Sequence, residues 1–67
     1  MRNWLIKIRS EAGLSQAKVA KAADIAQPYY CRLELGVKGT NLPVSTAKRI
    51  ASVLNFDWTR FYDDIEG

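Results

Sequence analysis

The spacing of apolar residues along the chain predicts short amphipathic helices. In the first, over 3–12, Leu5, Ile8 and Ala12 recur at the intervals that align side chains on one face of a helix. Gly13 follows as a typical helix stop. No segment alternates apolar and polar residues with a period of two, so a β-sheet is not expected. The pattern favours an all-α protein.

A second helix is predicted over 16–23. Ser15 precedes it and is a favourable N-cap, because a serine hydroxyl can accept a hydrogen bond from a free amide of the first turn. Its inner face would consist of small apolar residues, Val19, Ala20 and Ala23. The break at 24–26 ends this helix, and Asp24 is one of the few residue types that tolerate a left-handed backbone there.

A third helix is predicted over 27–35. Pro28 falls in its first turn, where the missing N–H costs nothing, and Gly36 stands just past its end. Tyr30 and Leu33 are expected to point inward together. Ala26 stands at the N-cap position without a side chain that can accept a hydrogen bond, so a cap worth about 1 kcal/mol would be missing.

The last third of the chain predicts two more helices after a loop at 36–43. The fourth has an apolar face at helical spacing, formed by Val44, Ala47, Ile50, Ala51 and Leu54. Asn55 can take the left-handed stop, and Asp57 can cap a short fifth helix. Helical spacing continues to the end of the fifth through Trp58, Phe61, Tyr62 and Ile65.

Composition limits the architecture and the chemistry. With 67 residues, 48% of them hydrophobic, the chain is expected to form one small domain over 1–67, without room for a ligand-sensing domain. Cys31 is the only cysteine and histidine is absent, which excludes an intramolecular disulfide and Cys/His zinc sites. We expect no metal, no cofactor, no small-molecule ligand and no enzymatic activity, because the chain has no histidine, no Gly-rich phosphate loop and no acidic pair that the pattern places in a cleft.

Two further features bear on location and partner. The longest apolar runs, such as Trp4–Ile6, are far too short for a signal peptide or a membrane span, so a cytoplasmic protein is expected. The net charge is +3, but Asp63, Asp64 and Glu66 crowd the end of the chain. Residues 1–62 carry 10 basic against 4 acidic side chains, which favours a polyanionic partner such as nucleic acid.

The break between the second and third helices is short enough to force a sharp crossing instead of an antiparallel hairpin. Ala20 and Ala23 allow the two backbones to approach closely. These are the physical requirements of a helix-turn-helix, predicted here at about 15–35. In that motif the first helix braces across the phosphate backbone, while the N-terminal end of the second enters the major groove.

A specific pattern supports this interpretation. Its residues are Leu14-Ser15-Gln16, Val19-Ala20, Ile25, Tyr30, Leu33-Glu34, Gly36, Ile50-Ala51 and Leu54. This pattern resembles the Xre family, the Cro and cI type of phage repressor, over about 3–62. The resemblance implies a compact five-helix, lambda-repressor-like DNA-binding domain that acts as a dimer on a two-fold symmetric operator. Residues 56–62 are similar to stand-alone prophage-type members, which implies a bacterial or phage-encoded protein.

The resemblance and the exposed arc of the third helix together nominate a DNA-binding surface. Its members are Gln16, Gln27, Pro28, Tyr29, Cys31, Arg32, Lys38, Thr40 and Asn41. Gln16 matches a phosphate-contacting position that supports the recognition helix, and residues 38–41 match a second phosphate clamp. Arg32 could pair with guanine and Gln27 with adenine, each discriminating by about 1–3 kcal/mol. Tyr29 could reach a phosphate or a methyl group.

The remaining assignments concern structure and assembly. Arg9 and Glu34 match an ion pair between the first helix and the end of the third, which specifies geometry more surely than it stabilises. Trp58, Phe61 and Tyr62 have the helical spacing typical of core residues, but a chain of 67 residues offers little core to receive them all. They are therefore expected to form a homodimer surface, together with the adjoining end of the fourth helix.

The sequence therefore predicts a sequence-specific DNA-binding transcriptional regulator, a prophage or mobile-element repressor that binds double-stranded DNA. The alternative is an antitoxin-type protein-interaction module that also binds DNA. That alternative would require an extra segment or an exposed apolar groove to hold the partner.

Overall fold

A computed structural model describes residues 1–63. The predicted positions of Asp64, Ile65 and Glu66 lie outside these residues. The described part contains five helices and no strand: α1 (Asn3–Glu11), α2 (Gln16–Ala22), α3 (Gln27–Leu35), α4 (Val44–Leu54) and α5 (Arg60–Asp63). The predicted all-α, five-helix architecture is confirmed.

The ends of the helices follow local signals in the sequence. The Ser15 hydroxyl accepts a hydrogen bond of 3.1 Å from the Lys18 amide, as expected of an N-cap. Gly36 ends α3 with a φ of 70°, a left-handed conformation that glycine adopts without steric cost. Asp24 and Asn55 take the same region, with φ of 60° and 58°. Ala26 precedes α3 without a side-chain cap, as predicted.

The fifth helix begins later than the predicted cap implies. Asp57 accepts hydrogen bonds from the Thr59 amide and hydroxyl, at 3.0 and 2.8 Å, which fixes a turn before α5 instead of capping it directly. These bonds also lower the pKa of the exposed Asp57 carboxyl. α5 itself is a single turn from Arg60 to Asp63.

The core lies where α2 packs against both α3 and α4, with α1 against α3. Its largest fully buried side chains are Leu5, Val19, Tyr30, Leu33, Glu34, Ile50 and Phe61. Two predicted apolar-face residues lie outside it: Ala12 is exposed at the end of α1, and Val44 is 46% exposed in the first turn of α4. Helical spacing identifies the side of the helix that faces the core, but residues at the end of a helix can extend beyond the elements on which that side packs.

Phe61 corrects the predicted dimer surface. Its ring is 0% exposed and is enclosed by Trp4 and Phe56, with ring centroids 5.4 and 5.5 Å away in edge-to-face geometry. The guanidinium of Arg2 covers its face at 5.5 Å. A ring closed in this way cannot contribute to an interface between copies of the folded chain. Phe61 is a core residue because α1 and the 55–59 turn supply partners that helical spacing alone does not reveal.

Candidate nucleic-acid interface

The turn between α2 and α3 is fixed by backbone hydrogen bonds. The Ile25 amide donates to Ala20 O at 2.9 Å, and the Asp24 amide donates to Lys21 O at 3.1 Å. The left-handed φ of Asp24 makes this closure possible. Ala20 and Ala23 are 2% and 1% exposed, so the two helices cross closely there. This is the tight helix–turn–helix geometry that the short break predicts.

A contact from α4 fastens the same turn. Arg49 Nε donates a hydrogen bond of 2.9 Å to the backbone oxygen of Ala23, the residue that ends α2. An arginine on a carbonyl at a helix C-terminus satisfies an acceptor that has no partner within the helix. Nothing local in the sequence predicts this contact, because its two residues are 26 positions apart.

The outer side of α3 presents polar and cationic side chains. Gln27, Pro28 and Arg32 are exposed, and Cys31 is half-buried with a free thiol. The amides of the first turn of α3 have no intrahelical partners, and Ala26 supplies no cap, so this helix end can donate to an external acceptor. The arrangement suits insertion of the N-terminal half of α3 into a groove lined with acceptors.

A buried carboxylate links three helices behind this surface. Arg9 of α1 donates to Glu34 of α3 through Nε at 2.6 Å and Nη2 at 3.3 Å, while Gln16 of α2 donates through Nε2 at 2.7 Å. Arg9 Nη1 also donates to Leu14 O at 3.0 Å. The Arg9 side chain is 17% exposed and that of Glu34 only 2%. Gln16 therefore holds α2 to α3, and its Nε2 is engaged within the protein.

These contacts set the protonation of the site. Burial alone would raise the pKa of Glu34, but hydrogen bonds from Arg9 and Gln16, together with the nearby Tyr30 hydroxyl, outweigh it and hold that pKa below its ordinary value. Burial, and then the Glu34 carboxylate, raise the pKa of Tyr30. The Tyr30 hydroxyl is itself buried and makes no well-formed hydrogen bond among residues 1–63. Glu34 is thus held ionised and Tyr30 neutral.

The depressed pKa of Glu34 predicts a loss of stability in acid. The unfolded chain binds this proton at the ordinary value of 4.5, so the stabilisation is complete above that pH and is lost as the pH falls through the lower folded pKa. We expect the free energy of unfolding to decline below about pH 5, and to decline less steeply in Glu34→Gln. Urea unfolding between pH 7 and pH 3 measures this. Asp57→Asn is the control, because the pKa of the Asp57 carboxyl is also lowered. If the free energy of unfolding fell equally steeply with pH in wild type and in Glu34→Gln, Glu34 would not be the source of the acid sensitivity.

The loop after α3 places the predicted phosphate clamp beside the recognition helix. Lys38 and Asn41 are exposed and Thr40 is half-buried. Between this loop and α3 lies an open cleft of about 480 Å³, lined by Tyr29, Arg32, Gly39, Thr40, Asn41, Pro43 and Thr46. The structure therefore brings Arg32 of α3 together with Thr40 and Asn41 of the loop. Lys38 lines a second groove, which it shares with Met1 and Leu33.

Tyr29 differs from its predicted exposed position. The side chain is half-buried against the core, and its hydroxyl donates a hydrogen bond of 2.5 Å to Asn41 O. Burial, followed by the nearby Tyr62, raises the pKa of Tyr29, while Arg49 opposes that shift. Because its proton is already donated within the protein, Tyr29 is poorly suited to donate to a phosphate.

Arg2 is a second residue whose contacts the sequence does not predict. Its Nη1 donates to Leu33 O at 2.6 Å, and its backbone amide donates to Glu34 O at 2.7 Å. These carbonyls belong to the last turn of α3, where a cation also interacts favourably with the helix dipole. The N-terminus thereby braces the end of α3 opposite to its exposed first turn.

Two of the three aromatic residues predicted for the dimer surface remain accessible, Trp58 in the turn before α5 and Tyr62 in α5. Trp58 and Tyr62 are half-buried and pack edge to face, with centroids 6.0 Å apart. The ammonium of Lys48 lies 5.3 Å from the centre of the Trp58 ring. Both rings keep part of their surface accessible, unlike Phe61.

Two helices crossing at a tight turn, with the exposed polar side of the second beside a cationic loop, define a DNA-binding helix-turn-helix domain. A family model described as "Helix-turn-helix" matches residues 5–61. The chain belongs to this family, the Xre or Cro/cI type of helix-turn-helix protein.

A curated relative agrees with this assignment. The chain is 46% identical, over 65 residues, to the uncharacterized HTH-type transcriptional regulator YqaF of Bacillus subtilis (strain 168). The match covers 97% of this chain and 83% of that protein. No solved structure gives a significant match. The protein is a transcriptional regulator with a helix-turn-helix DNA-binding domain, and none of its described helices is long and apolar enough to cross a membrane.

Proposed function

We propose that the protein is a sequence-specific repressor, encoded by a prophage or mobile element, that binds a palindromic operator as a homodimer. The observation that carries the proposal is the exposed polar side of α3, which faces Thr40 and Asn41 of the following loop across an open cleft. Arg32 and Gln27 offer hydrogen-bond donors to base edges, and Lys38 of the loop offers a cation to the backbone. Repression would be steric, since a bound dimer would exclude polymerase from its site.

Contacts with bases and with phosphates divide between α3 and the loop after it. Arg32 and Gln27 suit guanine and adenine in the major groove, and Pro28 offers only carbon, which suits a thymine methyl. Lys38, Thr40 and Asn41 suit backbone phosphates. We assign Gln16 an indirect contribution through Glu34, with its backbone amide at the start of α2 left to contact a phosphate.

The first experiment is selection of bound sequences from random duplexes, followed by titration of the selected duplex and a scrambled one at two salt concentrations. We expect enrichment of a palindrome, with half-sites about one helical turn apart, and a preference of at least about 1,000-fold. Weak binding that depends on salt and enriches no motif would contradict sequence-specific recognition.

Substitutions of Arg32 and of Lys38 are expected to affect DNA binding in different ways. Arg32→Ala should relax the preference at one base pair by about 1–3 kcal/mol. Arg32→Lys keeps the charge but loses the bidentate fork, so it should relax the same base pair. Lys38→Ala should weaken all duplexes similarly and reduce the slope of log K against log salt by about one. Titration of single-base operator variants measures both.

A charge-matched control separates contact from net charge. Lys7→Ala removes the same charge from the exposed side of α1 and should change the slope less than Lys38→Ala. If Arg32→Ala and Lys38→Ala produced the same sequence-independent loss, the division into base and phosphate contacts would be wrong.

The homodimer is proposed to form through the accessible parts of Trp58 and Tyr62. Tryptophan and tyrosine are typical anchors of such interfaces, and a two-fold protein matches a palindromic operator. Trp58→Ala should weaken self-association at least tenfold in sedimentation experiments, with helicity checked by circular dichroism. The comparison is Leu35→Ala, which truncates a side chain that is 47% exposed at the end of α3. Dissociation caused by Leu35→Ala alone would place the interface elsewhere.

One feature favours the antitoxin-type alternative. A groove of about 560 Å³ lies between the N-terminus and the loop after α3, and its apolar lining includes Met1, Leu33, Val37 and Leu42. Val37 is 47% exposed there, as a site for a partner protein would require. The test is co-purification with the product of an adjacent gene for a small toxic enzyme. Loss of that complex in Val37→Ser, with operator binding retained, would support the alternative.

A further inference from the structure

Two tyrosine hydroxyls hold consecutive carbonyls of the loop after α3. Tyr29, on α3, donates to Asn41 O at 2.5 Å, and Tyr62, on α5, donates to Leu42 O at 2.8 Å. The two tyrosines are more than 30 positions apart in the chain. Adjacent residues of the loop are therefore hydrogen-bonded to the recognition helix and to the last helix.

The loop depends on these bonds for its shape. Backbone hydrogen bonds fix its first half, where Val37 N donates to Arg32 O and Thr40 N to Val37 O, both at 3.2 Å. They also fix its last residue, Pro43, whose oxygen accepts from the Thr46 and Ala47 amides at 3.1 and 3.0 Å. Gly39, with a φ of 85°, adds a point of conformational freedom. The second half of the loop, leading into Pro43, is fastened by the tyrosines. Both rings pack against the core, so their hydroxyls are fixed in position.

We infer that Tyr29 and Tyr62 are positioning residues that set the place of the phosphate-contacting loop relative to the recognition helix. The inference rests on the proposed function, because it takes Lys38, Thr40 and Asn41 as phosphate contacts. Through Tyr29, the helix that reads bases fixes the loop that contacts the backbone. Through Tyr62, α5 acts on the same loop, so the surface proposed for dimerisation is mechanically joined to the DNA-contacting one.

The test uses variants that remove only the hydroxyls. Tyr29→Phe and Tyr62→Phe keep the packed rings, and Tyr30→Phe is the matched control, because the Tyr30 hydroxyl is buried without a bond to the loop. Backbone amide exchange is measured on the free protein by NMR. Affinities for the selected and the scrambled duplex are measured over a series of salt concentrations, at a temperature where unfolding curves show each variant fully folded.

We expect Tyr29→Phe to accelerate amide exchange in residues 37–42 several-fold and to weaken both duplexes by about three- to tenfold, the loss of one hydrogen bond. The salt slope should fall by about one, while the preference among single-base variants is unchanged. Tyr62→Phe should act in the same direction. Tyr30→Phe should leave amide exchange in residues 37–42 and the salt slope unchanged. A purely structural contribution would lower the unfolding temperature without changing the salt slope.

Three results would overturn the inference. If affinity falls while exchange in 37–42 is unchanged, Tyr29 contacts DNA directly. If amide exchange accelerates while the affinity and the salt slope are unchanged, DNA binding does not require the loop to be held in this position. If Tyr30→Phe acts like the other two, the effect belongs to the core. Failure of the wild type to prefer any duplex contradicts the proposed function itself, a result visible before any variant is compared.

Discussion

Phe61→Ala is expected to lower the free energy of unfolding by about 3–5 kcal/mol, the usual cost of removing a fully buried aromatic ring. The ring is 0% exposed and sits between Trp4 and Phe56, and their edge-to-face contacts would be lost with it. A single core of this size supplies only about 3–5 kcal/mol of net stability. The two figures are about equal, so a large fraction of the variant should be unfolded at 25 °C, as measured by circular dichroism and urea titration.

Measurements at several protein concentrations distinguish a core position of Phe61 from a position in the predicted dimer interface. A core residue destabilises the folded chain by the same amount at every concentration, whereas an interface residue acts only where the dimer is populated. Phe61→Leu, which keeps an apolar side chain, should cost clearly less than Phe61→Ala. If Phe61→Ala were fully folded at low concentration and changed only self-association, the placement of this ring in the core would be wrong.

The positions that sequence predicts well are those with local causes. Ser15 caps α2 because its hydroxyl reaches an amide three residues on, and Gly36 ends α3 because its backbone tolerates left-handed geometry. Asp24 and Asn55 follow the same rule. Each of these depends on a few adjacent residues, so helix order and most helix ends were predictable.

The positions that sequence predicts poorly depend on contacts distant in the chain. Helical spacing places Phe61 and Tyr29 on particular faces, but not what those faces meet. Trp4 and Phe56 enclose the Phe61 ring, and Asn41 O accepts a hydrogen bond from the Tyr29 hydroxyl. Arg49 illustrates the same limit, since a cation near a distant helix end has no periodic signature. The exposed side of α3 could be predicted from helical spacing, whereas the long-range contacts that orient this helix could not.

Glu34→Ala is the other change expected to have a large effect. Breaking a buried ion pair by removing one partner costs about 3–5 kcal/mol, because the remaining charge is left uncompensated. The cost here should lie near the lower end, about 3 kcal/mol, since the Arg9 side chain is 17% exposed and water can partly replace the carboxylate. Gln16 would lose its acceptor as well, which loosens α2 on α3.

The double variant Arg9→Met/Glu34→Met separates the ion pair from the packing around it. Replacing both partners with apolar side chains leaves no uncompensated charge, so it should be less destabilising than Glu34→Ala, although Leu14 O and Gln16 Nε2 lose their partners. Urea unfolding of the single and double variants gives the coupling energy. If the effects of Arg9→Met and Glu34→Met simply add, the pair is not coupled. A substantial coupling, with weakened operator specificity in a folded double variant, would mean that this carboxylate serves mainly to orient α2 and α3 for DNA, and only secondarily to stabilise the fold.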